Sequence, residues 1–287
     1  MTRAPIVSSE SSAATAATER IATPSGRLAY RRFGAGEGVP LVLALRFRGT
    51  IDHWDPAFLD LLGAERDVIV FDNVGTGRST GDPPTTIDGL AAGLLEFIEA
   101  LGLPQVDLLG WSLGGLVVQA AALRDPGRIR RLVVAGSSPG AGVPGQPAPD
   151  PRVWEIATKE FNDDEDFLYL FFADIPRSRE LGLASLRRID ARVLDTAHVP
   201  VSAATMAAQL KVVASIGSAI WDRMTELRIP VLVANGAQDV MINAYASFAM
   251  AGVLPDAKLV VYSDAGHGFL FQHIQDFASE VVRFLQN

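Results

Sequence analysis

Ser112 is the residue of this chain whose surroundings best suit covalent chemistry. It stands in the sequence Gly110-Trp111-Ser112-Leu113-Gly114, which follows the apolar run at residues 106–109 and precedes a helix-forming stretch. A serine hydroxyl is a weak nucleophile unless a tight strand-to-helix turn exposes its oxygen, and small flanking residues let the backbone make that turn. Gly110 and Gly114 are the small residues in this case. The pattern predicts that Ser112 is a nucleophile and that the chain is a serine hydrolase.

A serine nucleophile needs a base that removes its proton. The chain has four histidines. His267 is the best placed, because Asp264-Ala265-Gly266-His267-Gly268 is a short flexible turn at the predicted carboxyl end of a strand, the edge where the nucleophile also emerges. His53 follows the first buried strand, His198 lies in a predicted insertion, and His273 is expected to start the final helix. We therefore predict that His267 is the base.

The base in turn needs a carboxylate that holds its ring and stabilises its charged form. Asp239 leaves the predicted strand at residues 231–234 within one short loop, so its carboxylate can reach a histidine that follows the next strand. Asp264 is too close in sequence to the base to orient its ring easily, and Asp256 precedes its strand. Asp72 also ends a strand, but the glycine-rich loop that it opens is typical of a structural turn. Asp239 is the predicted acid.

Six short, nearly continuous apolar runs supply the strands that would position these three residues. Such runs are typical of strands covered on both faces, as in a parallel sheet. They occupy residues 41–45, 68–71, 106–109, 132–135, 231–234 and 259–262. Residues 27–33 predict an additional edge strand, and helical patterns alternate with the strands, most clearly at residues 87–101 and at the end of the chain. This alternation predicts an α/β fold with a doubly wound, mostly parallel sheet.

The alternation breaks between residues 139 and 221, where no convincing buried strand occurs. A Gly/Pro-rich linker opens this stretch, and helical patterns follow it, with an acidic run beside the apolar cluster at residues 167–172. We predict a helical cap at residues 139–221 over the carboxyl edge of the sheet, and a core built from residues 20–138 and 222–287. Residues 1–19 are rich in Ala, Ser and Thr without a period, which predicts a disordered or poorly ordered tail, or a short capping strand.

The composition limits the classes of partner and compartment. The 287 residues carry a formal net charge of −8 and 48% are hydrophobic. Nucleic acid and anionic membranes attract clustered positive charge, so we expect neither as a partner and expect a small-molecule substrate. The chain has no cysteine, which excludes disulfides, thiolate metal sites and cysteine nucleophiles. No apolar run is long enough to span a bilayer, and the N-terminal region lacks the apolar core of a signal peptide, so we expect a cytoplasmic protein.

The order Ser112, Asp239, His267 resembles that of the α/β-hydrolase fold family, in which nucleophile, acid and histidine follow one another in that sequence. The likeness covers roughly residues 21–287, and the predicted cap lies where members of the family carry their lid. A serine nucleophile makes the activities of the aspartate branch, such as haloalkane dehalogenases and epoxide hydrolases, unexpected. The resemblance implies acyl transfer without a cofactor or metal ion. The segments similar to the family's signatures are Gly110-Trp111-Ser112-Leu113-Gly114-Gly115, Asp72-Asn73-Val74-Gly75-Thr76-Gly77, Gly236-Ala237-Gln238-Asp239 and Gly266-His267.

The resemblance also implies two backbone donors that bind a developing oxyanion. The N–H of Leu113, which follows the nucleophile, is the first. The second comes from the loop after the first buried strand, where many relatives carry His-Gly before the donating residue. Leu45 and Arg46 occupy those two positions, so Phe47 is the inferred donor. Arg46 replaces a glycine that normally lets the backbone turn, and Gly49 is expected to supply part of that flexibility.

Arg46 and Arg48 allow two interpretations. A guanidinium group forms paired hydrogen bonds with carboxylates, so either arginine could bind a carboxylate of the substrate. Alternatively, one or both pair with the acidic neighbours Asp52 or Asp55 and organise the loop. Together with Trp111, which precedes the nucleophile, the two arginines are the predicted substrate-binding residues.

The predicted function is hydrolysis of a small-to-medium, mainly apolar ester or lactone through an acyl-enzyme. One alternative is haloperoxidase-like perhydrolysis or cofactor-free oxygen chemistry on the same fold, with His267 as the base and Ser112 positioning the substrate. Another is a ligand-binding receptor that keeps the three residues but turns over negligibly. Oxygen- or peroxide-dependent turnover by a variant without the serine would favour the oxygen or perhydrolysis chemistry. Slow acylation with tight retention of the product would favour the ligand-binding receptor.

Overall fold

An eight-stranded sheet forms the centre of the computed structural model, which describes residues 12–36 and 38–286. The strands lie side by side in the order β1-β2-β4-β3-β5-β6-β7-β8. β1 and β2 are antiparallel to their neighbours, and all the other pairs are parallel, which confirms the predicted doubly wound, mostly parallel sheet. The strands are β1 (Glu19–Thr23), β2 (Gly26–Phe33), β3 (Leu41–Ala44), β4 (Val68–Phe71), β5 (Val106–Trp111), β6 (Ile129–Ala135), β7 (Val231–Gly236) and β8 (Ala257–Tyr262).

Each of the six apolar runs forms a strand, β3 to β8, and the predicted strand at residues 27–33 forms most of β2. Two details of the prediction are wrong. β2 is not an edge strand, because β1 pairs with it on one side and β4 on the other. β8 is an edge strand whose residues are only partly buried or exposed, so it is not covered on both faces. Its apolar run resembles those of the buried strands because periodicity does not report which side of a strand lacks a neighbour.

The helices cover both faces of the sheet. No helix among the described residues is long and apolar enough to cross a membrane. Two short 3-10 turns occur at Ile51–His53 and Trp221–Glu226. The helices are α1 (Pro56–Gly63), α2 (Ile87–Ala100), α3 (Leu113–Arg124), α4 (Pro151–Ala157), α5 (Asp164–Phe171), α6 (Pro176–Asp195), α7 (Ala203–Ala214), α8 (Ala244–Val253), α9 (Phe269–Gln272) and α10 (Ile274–Gln286).

Two apolar clusters, one on each face of the sheet, hold the layers together. Successive strand residues point to opposite faces, so Leu108 of β5 joins the cluster with α2 and α3, and Leu109 joins the cluster with α1 and α10. Phe97 of α2 and Phe277 of α10 are completely buried in these two clusters. Because both faces are covered, the carboxyl ends of the parallel strands are where side chains can reach a ligand.

The segment between β6 and β7 contains α4, α5, α6 and α7. Polar contacts tie these helices to the domain that carries the sheet. Arg188 of α6 forms an ion pair of 2.6 Å with the buried carboxylate of Asp55, which also caps α1. Thr205 of α7 donates a hydrogen bond to the backbone carbonyl of Gly75 in the loop after β4.

The predicted tail at residues 1–19 falls largely outside the described part of the chain, since residues 1–11 are not described. The remainder of that range packs on the domain. Ala13 and Ala16 are buried, and the N–H of Ala13 donates to a carboxylate oxygen of Asp60 at 2.9 Å. Glu19 already lies in β1, so the structure assigns this residue to the sheet.

Candidate active site

Ser112 occupies the turn between β5 and α3 with a backbone conformation that few non-glycine residues adopt. Its φ is 59° and its ψ is −122°. Such a conformation costs on the order of 1–3 kcal/mol and persists only where the surroundings enforce it. The N–H of Ser112 donates to the carbonyl of Ala135 at 2.9 Å, and the hydroxyl of Ser137 donates to its carbonyl at 2.7 Å. These bonds to the neighbouring strand and its loop hold Ser112 in a strained conformation, which is typical of the turn that carries a nucleophile between a strand and a helix.

The two glycines that flank Ser112 are required by close backbone contacts. A methyl group on Gly114 would lie 2.1 Å from the carbonyl oxygen of Ala44, at the end of β3. A methyl group on Gly110 would lie 2.3 Å from the carbonyl oxygen of Gly114. Real Cβ atoms do not approach this closely, so α3 can begin directly beside β3 and β5 only with glycine at both positions.

His267 and Asp239 form a buried pair in the loops after β8 and β7. Nδ1 of His267 lies 2.7 Å from Oδ2 of Asp239, and neither side chain is exposed. The other carboxylate oxygen accepts the N–H groups of Met241 at 2.8 Å and Ile242 at 2.9 Å. A carboxylate only accepts hydrogen bonds, so Nδ1 of the neutral ring carries the proton and Nε2 has a free lone pair. This is the form of histidine that can accept a proton.

Nε2 of His267 is buried and has no hydrogen-bond partner among the described residues. Ser112 and His267 are therefore not hydrogen-bonded to each other in this structure, and such catalytic hydrogen bonds often tighten only in the complex with substrate. Phe171 of α5 packs over the imidazole, with ring centroids 5.8 Å apart. The helices between β6 and β7 thus shield the histidine from solvent.

Trp111 lines neither of the cavities beside Ser112, which contradicts its prediction as a substrate-binding residue. Its side chain is buried, and its indole N–H donates to the carbonyl of His267 at 3.1 Å. The side chains of a strand alternate between faces, and residue 111 points into the cluster that contains Phe271 while the next residue begins the elbow. The contacts of Trp111 support the histidine loop.

The rival residues named in the sequence have other partners. Asp264 pairs with His273 at 2.9 Å, outside the buried pair. Asp72 accepts the N–H groups of Ile51 and Arg78, as expected of a residue in a structural loop. Burial raises the pKa of Asp72 to about 6, although these two backbone hydrogen bonds oppose the shift. Only Asp239 among the candidate acids contacts the predicted base.

Two cavities meet at Ser112. Phe47, Ser112 and Met241 border both of them. The first, which we call the arginine cavity, measures about 410 Å³, and its lining includes Arg46, His53, Phe167, Phe171, Ile189 and Asp190. The second, which we call the proline cavity, measures about 330 Å³, and its lining includes Leu116, Pro147, Pro149, Trp154, Val213 and Ile216. Ser112 therefore lies where the two cavities meet, with one cavity on each side of it.

The backbone N–H groups of Phe47 and Leu113 make no hydrogen bond to any described residue. Leu113 is the first residue of α3, where N–H groups lack partners within the helix. The turn after β3 reverses at Arg48, whose φ is 56°, so the expected flexibility of Gly49 is not what lets the loop turn. Gly49 is needed for space, since a methyl group there would lie 2.5 Å from the side chain of Leu45.

The guanidinium of Arg48 is occupied by the segment after α4. It donates to the carbonyls of Ala157 at 2.9 Å, Lys159 at 2.7 Å and Glu160 at 3.1 Å, and lies 3.3 Å from the amide oxygen of Asn162. Prediction of Arg48 as a substrate-binding residue is therefore not supported. The physical reason is the backbone turn at Arg48. It directs the guanidinium towards residues 157–162, whose carbonyl groups accept its hydrogen bonds.

Arg46 and its expected acidic partners do not pair. Asp52 is bonded to Arg31 at 2.7 Å and to Arg78, and Asp55 is bonded to Arg188. The interpretation that Arg46 or Arg48 pairs with Asp52 or Asp55 is therefore wrong. Arg46 borders the arginine cavity instead.

His53 is a site residue that sequence reasoning missed. It borders the arginine cavity, and its Nδ1 accepts the N–H of Thr50 at 3.0 Å. Burial, followed by the charges of Arg46 and His198, lowers the pKa of His53 well below its ordinary value. The signal was its position, six residues after the inferred oxyanion donor Phe47, at the carboxyl edge of the sheet.

The chain is similar in sequence and in structure to known proteins. A family model described as alpha/beta hydrolase fold matches residues 47–274. The solved alpha/beta hydrolase fold protein from Chitinophaga pinensis has a TM-score of 0.85 and 35% identity, with 96% of this chain and 99% of that chain covered. A relative from Azorhizobium caulinodans, named "Putative carbamate hydrolase RutD", is 26% identical, with 82% of this chain and 86% of the relative covered. The pimeloyl-(acyl-carrier protein) methyl ester esterase of Aliivibrio salmonicida is 27% identical, with 88% and 94% covered.

Proposed function

The chain belongs to the α/β-hydrolase fold family, and on that premise we propose that it is a serine hydrolase that cleaves a small-to-medium, mainly apolar ester or lactone. Ser112 is the nucleophile, His267 the general base and acid, and Asp239 the residue that orients the base. The observation that carries the proposal is the buried His267–Asp239 pair of 2.7 Å, in loops at the same sheet edge as a strained serine elbow. Two relatives whose names denote hydrolysis of a carbamate and of a methyl ester support the class of reaction.

The reaction has two halves. Nε2 of His267 takes the proton of the Ser112 hydroxyl as its oxygen attacks the carbonyl carbon, and the carbonyl oxygen becomes an oxyanion. The free N–H groups of Phe47 and Leu113 would stabilise that oxyanion, and one such donor typically contributes about 10²–10³ in turnover. His267 then gives the proton to the departing alkoxide, which leaves an acyl group on Ser112. A water molecule attacks this ester in the same way and releases the acid and the free serine.

Residues 139–221 form a helical cap in this proposal, and residues 20–138 and 222–287 form the core. α5 and α6 supply walls of the arginine cavity, and α4 and α7 supply walls of the proline cavity. The two cavities suit a substrate with a separate pocket on each side of the scissile bond.

Covalent labelling by a fluorophosphonate, detected by intact mass, tests the proposed nucleophile and base. The parent protein should gain one label, and Ser112→Ala and His267→Ala should gain none under the same conditions. His273→Ala is the matched control, because His273 also pairs with an aspartate but lies outside the site, and its labelling should equal that of the parent. A label that persists in Ser112→Ala, or a folded parent that gains no label, contradicts the proposal and favours histidine-based oxygen chemistry or ligand binding.

A further inference from the structure

Arg46 carries a charge that no carboxylate of the described residues neutralises. Its Nη1 donates to the carbonyl of Phe47 at 2.9 Å, and its Nε is buried without a partner. The guanidinium carbon lies 5.0 Å from the ring centre of Phe171 and 5.8 Å from that of Trp111. Aromatic faces stabilise a cation, but they leave its N–H groups in the ring plane free to donate.

Three other arginines whose side chains are largely shielded from water pair with carboxylates. Arg31 and Arg78 both pair with Asp52, and Arg66 pairs with Asp107 at 2.7 Å. Removing a cation from water is costly unless an anion accompanies it. An unpaired guanidinium on the wall of a cavity beside the nucleophile is therefore expected to receive its anion from a ligand.

Arg48 borders the same cavity but cannot serve as that donor without releasing four contacts to residues 157–162. It does add a positive charge nearby. Burial, and then the charge of Arg48, lowers the pKa of Arg46 to about 10, so Arg46 stays protonated at neutral pH. The two arginines thus have different roles, one structural and one available to a ligand.

His53 supplies a second donor on the wall of the arginine cavity. Its Nδ1 accepts the N–H of Thr50, so the neutral ring carries its proton on Nε2, and that atom has no hydrogen-bond partner among the described residues. Its neighbour His198 lies edge-on at 4.8 Å between ring centres and is bonded to Asp52 at 3.1 Å. The lowered pKa of His53 keeps it neutral at pH 7, so it donates a hydrogen bond without adding charge.

Three aspartates, Asp163, Asp164 and Asp190, also border this cavity. All three are exposed, so water and salt weaken their effect on a ligand held at Arg46. They make a cationic substrate the competing possibility. Arg46 is half-buried and its Nε is shielded from solvent, which favours an anionic substrate, because a charge interaction is stronger where water is excluded.

We propose that Arg46 and His53 form a subsite for a carboxylate of the substrate. The hydrolase then prefers a monoanionic ester or lactone whose carboxylate lies in the arginine cavity and whose apolar remainder extends towards the proline cavity. A carboxylate fits better than a phosphate dianion, because one guanidinium matches its single charge and planar shape. This inference rests on the proposed hydrolase function and adds the substrate class to it.

Matched esters test the subsite. The p-nitrophenyl monoester of adipic acid and p-nitrophenyl hexanoate have the same chain length and differ in the terminal carboxylate. The parent should favour the adipate ester in kcat/KM, and Arg46→Gln should lower that preference by about ten- to a hundredfold, the usual contribution of a hydrogen bond to a charged group. His53→Gln should lower it by several-fold. The decisive readout is the preference ratio, which is kcat/KM for the adipate ester divided by kcat/KM for the hexanoate. Arg46 adjoins the oxyanion donor Phe47, so its replacement also slows hydrolysis of both esters, and this common effect cancels in the ratio.

Arg131→Gln is the matched control. Arg131 also has a buried Nε without a partner and a guanidinium over a ring, that of Phe284 at 5.5 Å, but it lies in β6 away from the site. Its preference ratio should equal that of the parent. A parent that favours p-nitrophenyl 6-aminohexanoate over the adipate ester, or an Arg46→Gln ratio equal to the parent's, overturns the proposal.

Calorimetry on Ser112→Ala separates the subsite from catalysis. Monomethyl adipate should bind at least about tenfold more tightly than dimethyl adipate, and Arg46→Gln in the same background should remove the difference. Equal binding of the two esters overturns the subsite whatever the parent hydrolyses. Selective binding in a protein that hydrolyses no ester supports the subsite and overturns the hydrolase function.

Discussion

Replacement of Asp239 by asparagine tests whether the buried pair acts as the structure indicates. One carboxylate oxygen of Asp239 accepts the N–H groups of Met241 and Ile242, at 2.8 and 2.9 Å. In Asp239→Asn only the amide oxygen can accept these two bonds, so the amide NH₂ must face Nδ1 of His267, now 2.7 Å from a carboxylate oxygen. An NH₂ group donates, so the imidazole has to present a lone pair at Nδ1 and carry its proton on Nε2.

A histidine protonated on Nε2 cannot take the proton of Ser112. We expect kcat for p-nitrophenyl hexanoate to fall by about 10⁴, the usual effect of this change in a serine–histidine–aspartate triad, which is about 5.5 kcal/mol of transition-state stabilisation. Shape and packing are conserved, so the far-ultraviolet circular dichroism should match the parent. The rate of fluorophosphonate labelling should fall with kcat, because it depends on the same proton transfer.

Asp264→Asn is the control, since Asp264 pairs with His273 at 2.9 Å in the neighbouring loop but contacts no proposed catalytic group. Its kcat should stay within about twofold of the parent. An Asp239→Asn protein that is folded and retains kcat within about tenfold of the parent would refute the argument, because the tautomer of His267 would then not depend on Asp239.

Three further predictions concern the elements around the site. In urea titrations, Gly114→Ala should lower the free energy of unfolding by at least about 3 kcal/mol, because the added methyl group clashes with the backbone. Gly252→Ala is the control, since this glycine has open space around it, and it should change the free energy of unfolding by less than about 1 kcal/mol. Burial raises the pKa of Asp72 to about 6, so the protonated carboxyl group stabilises the folded state at acidic pH, and this contribution is lost as the pH rises through 6. Between pH 4 and 7 the parent should lose about 2.5 kcal/mol in free energy of unfolding relative to Asp72→Asn. Arg48→Gln should speed tryptic cleavage after Lys159 by about tenfold or more, because that segment loses its donors, and an unchanged rate would show that other contacts hold it.

The strands and the three proposed catalytic residues could be predicted because their signals are local. A strand buried on both faces needs a continuous apolar run, and a residue within about five positions after an apolar strand lies at the carboxyl edge of a parallel sheet. Ser112, Asp239 and His267 satisfy that condition, and the structure brings Asp239 and His267 into contact. The sequence did not predict that the sheet begins with a strand at Glu19. β1 is a partly exposed edge strand, so its residues form no continuous apolar run.

Local sequence is enough to predict which segments form the strands, the glycines that flank Ser112 and the proposed acid and base, because each signal depends on neighbours a few residues away. The pairing of charges, in contrast, depends on contacts between segments that are distant along the chain. The guanidinium of Arg48 bonds a carbonyl 109 residues distant, and Asp55 is neutralised by an arginine 133 residues away, so no local spacing reveals either partner. The same long-range packing leaves Arg46 beside Ser112 without a carboxylate partner among the described residues, since a charge is neutralised by the groups that the fold brings to it in space and not by the acidic residues nearest to it in the chain.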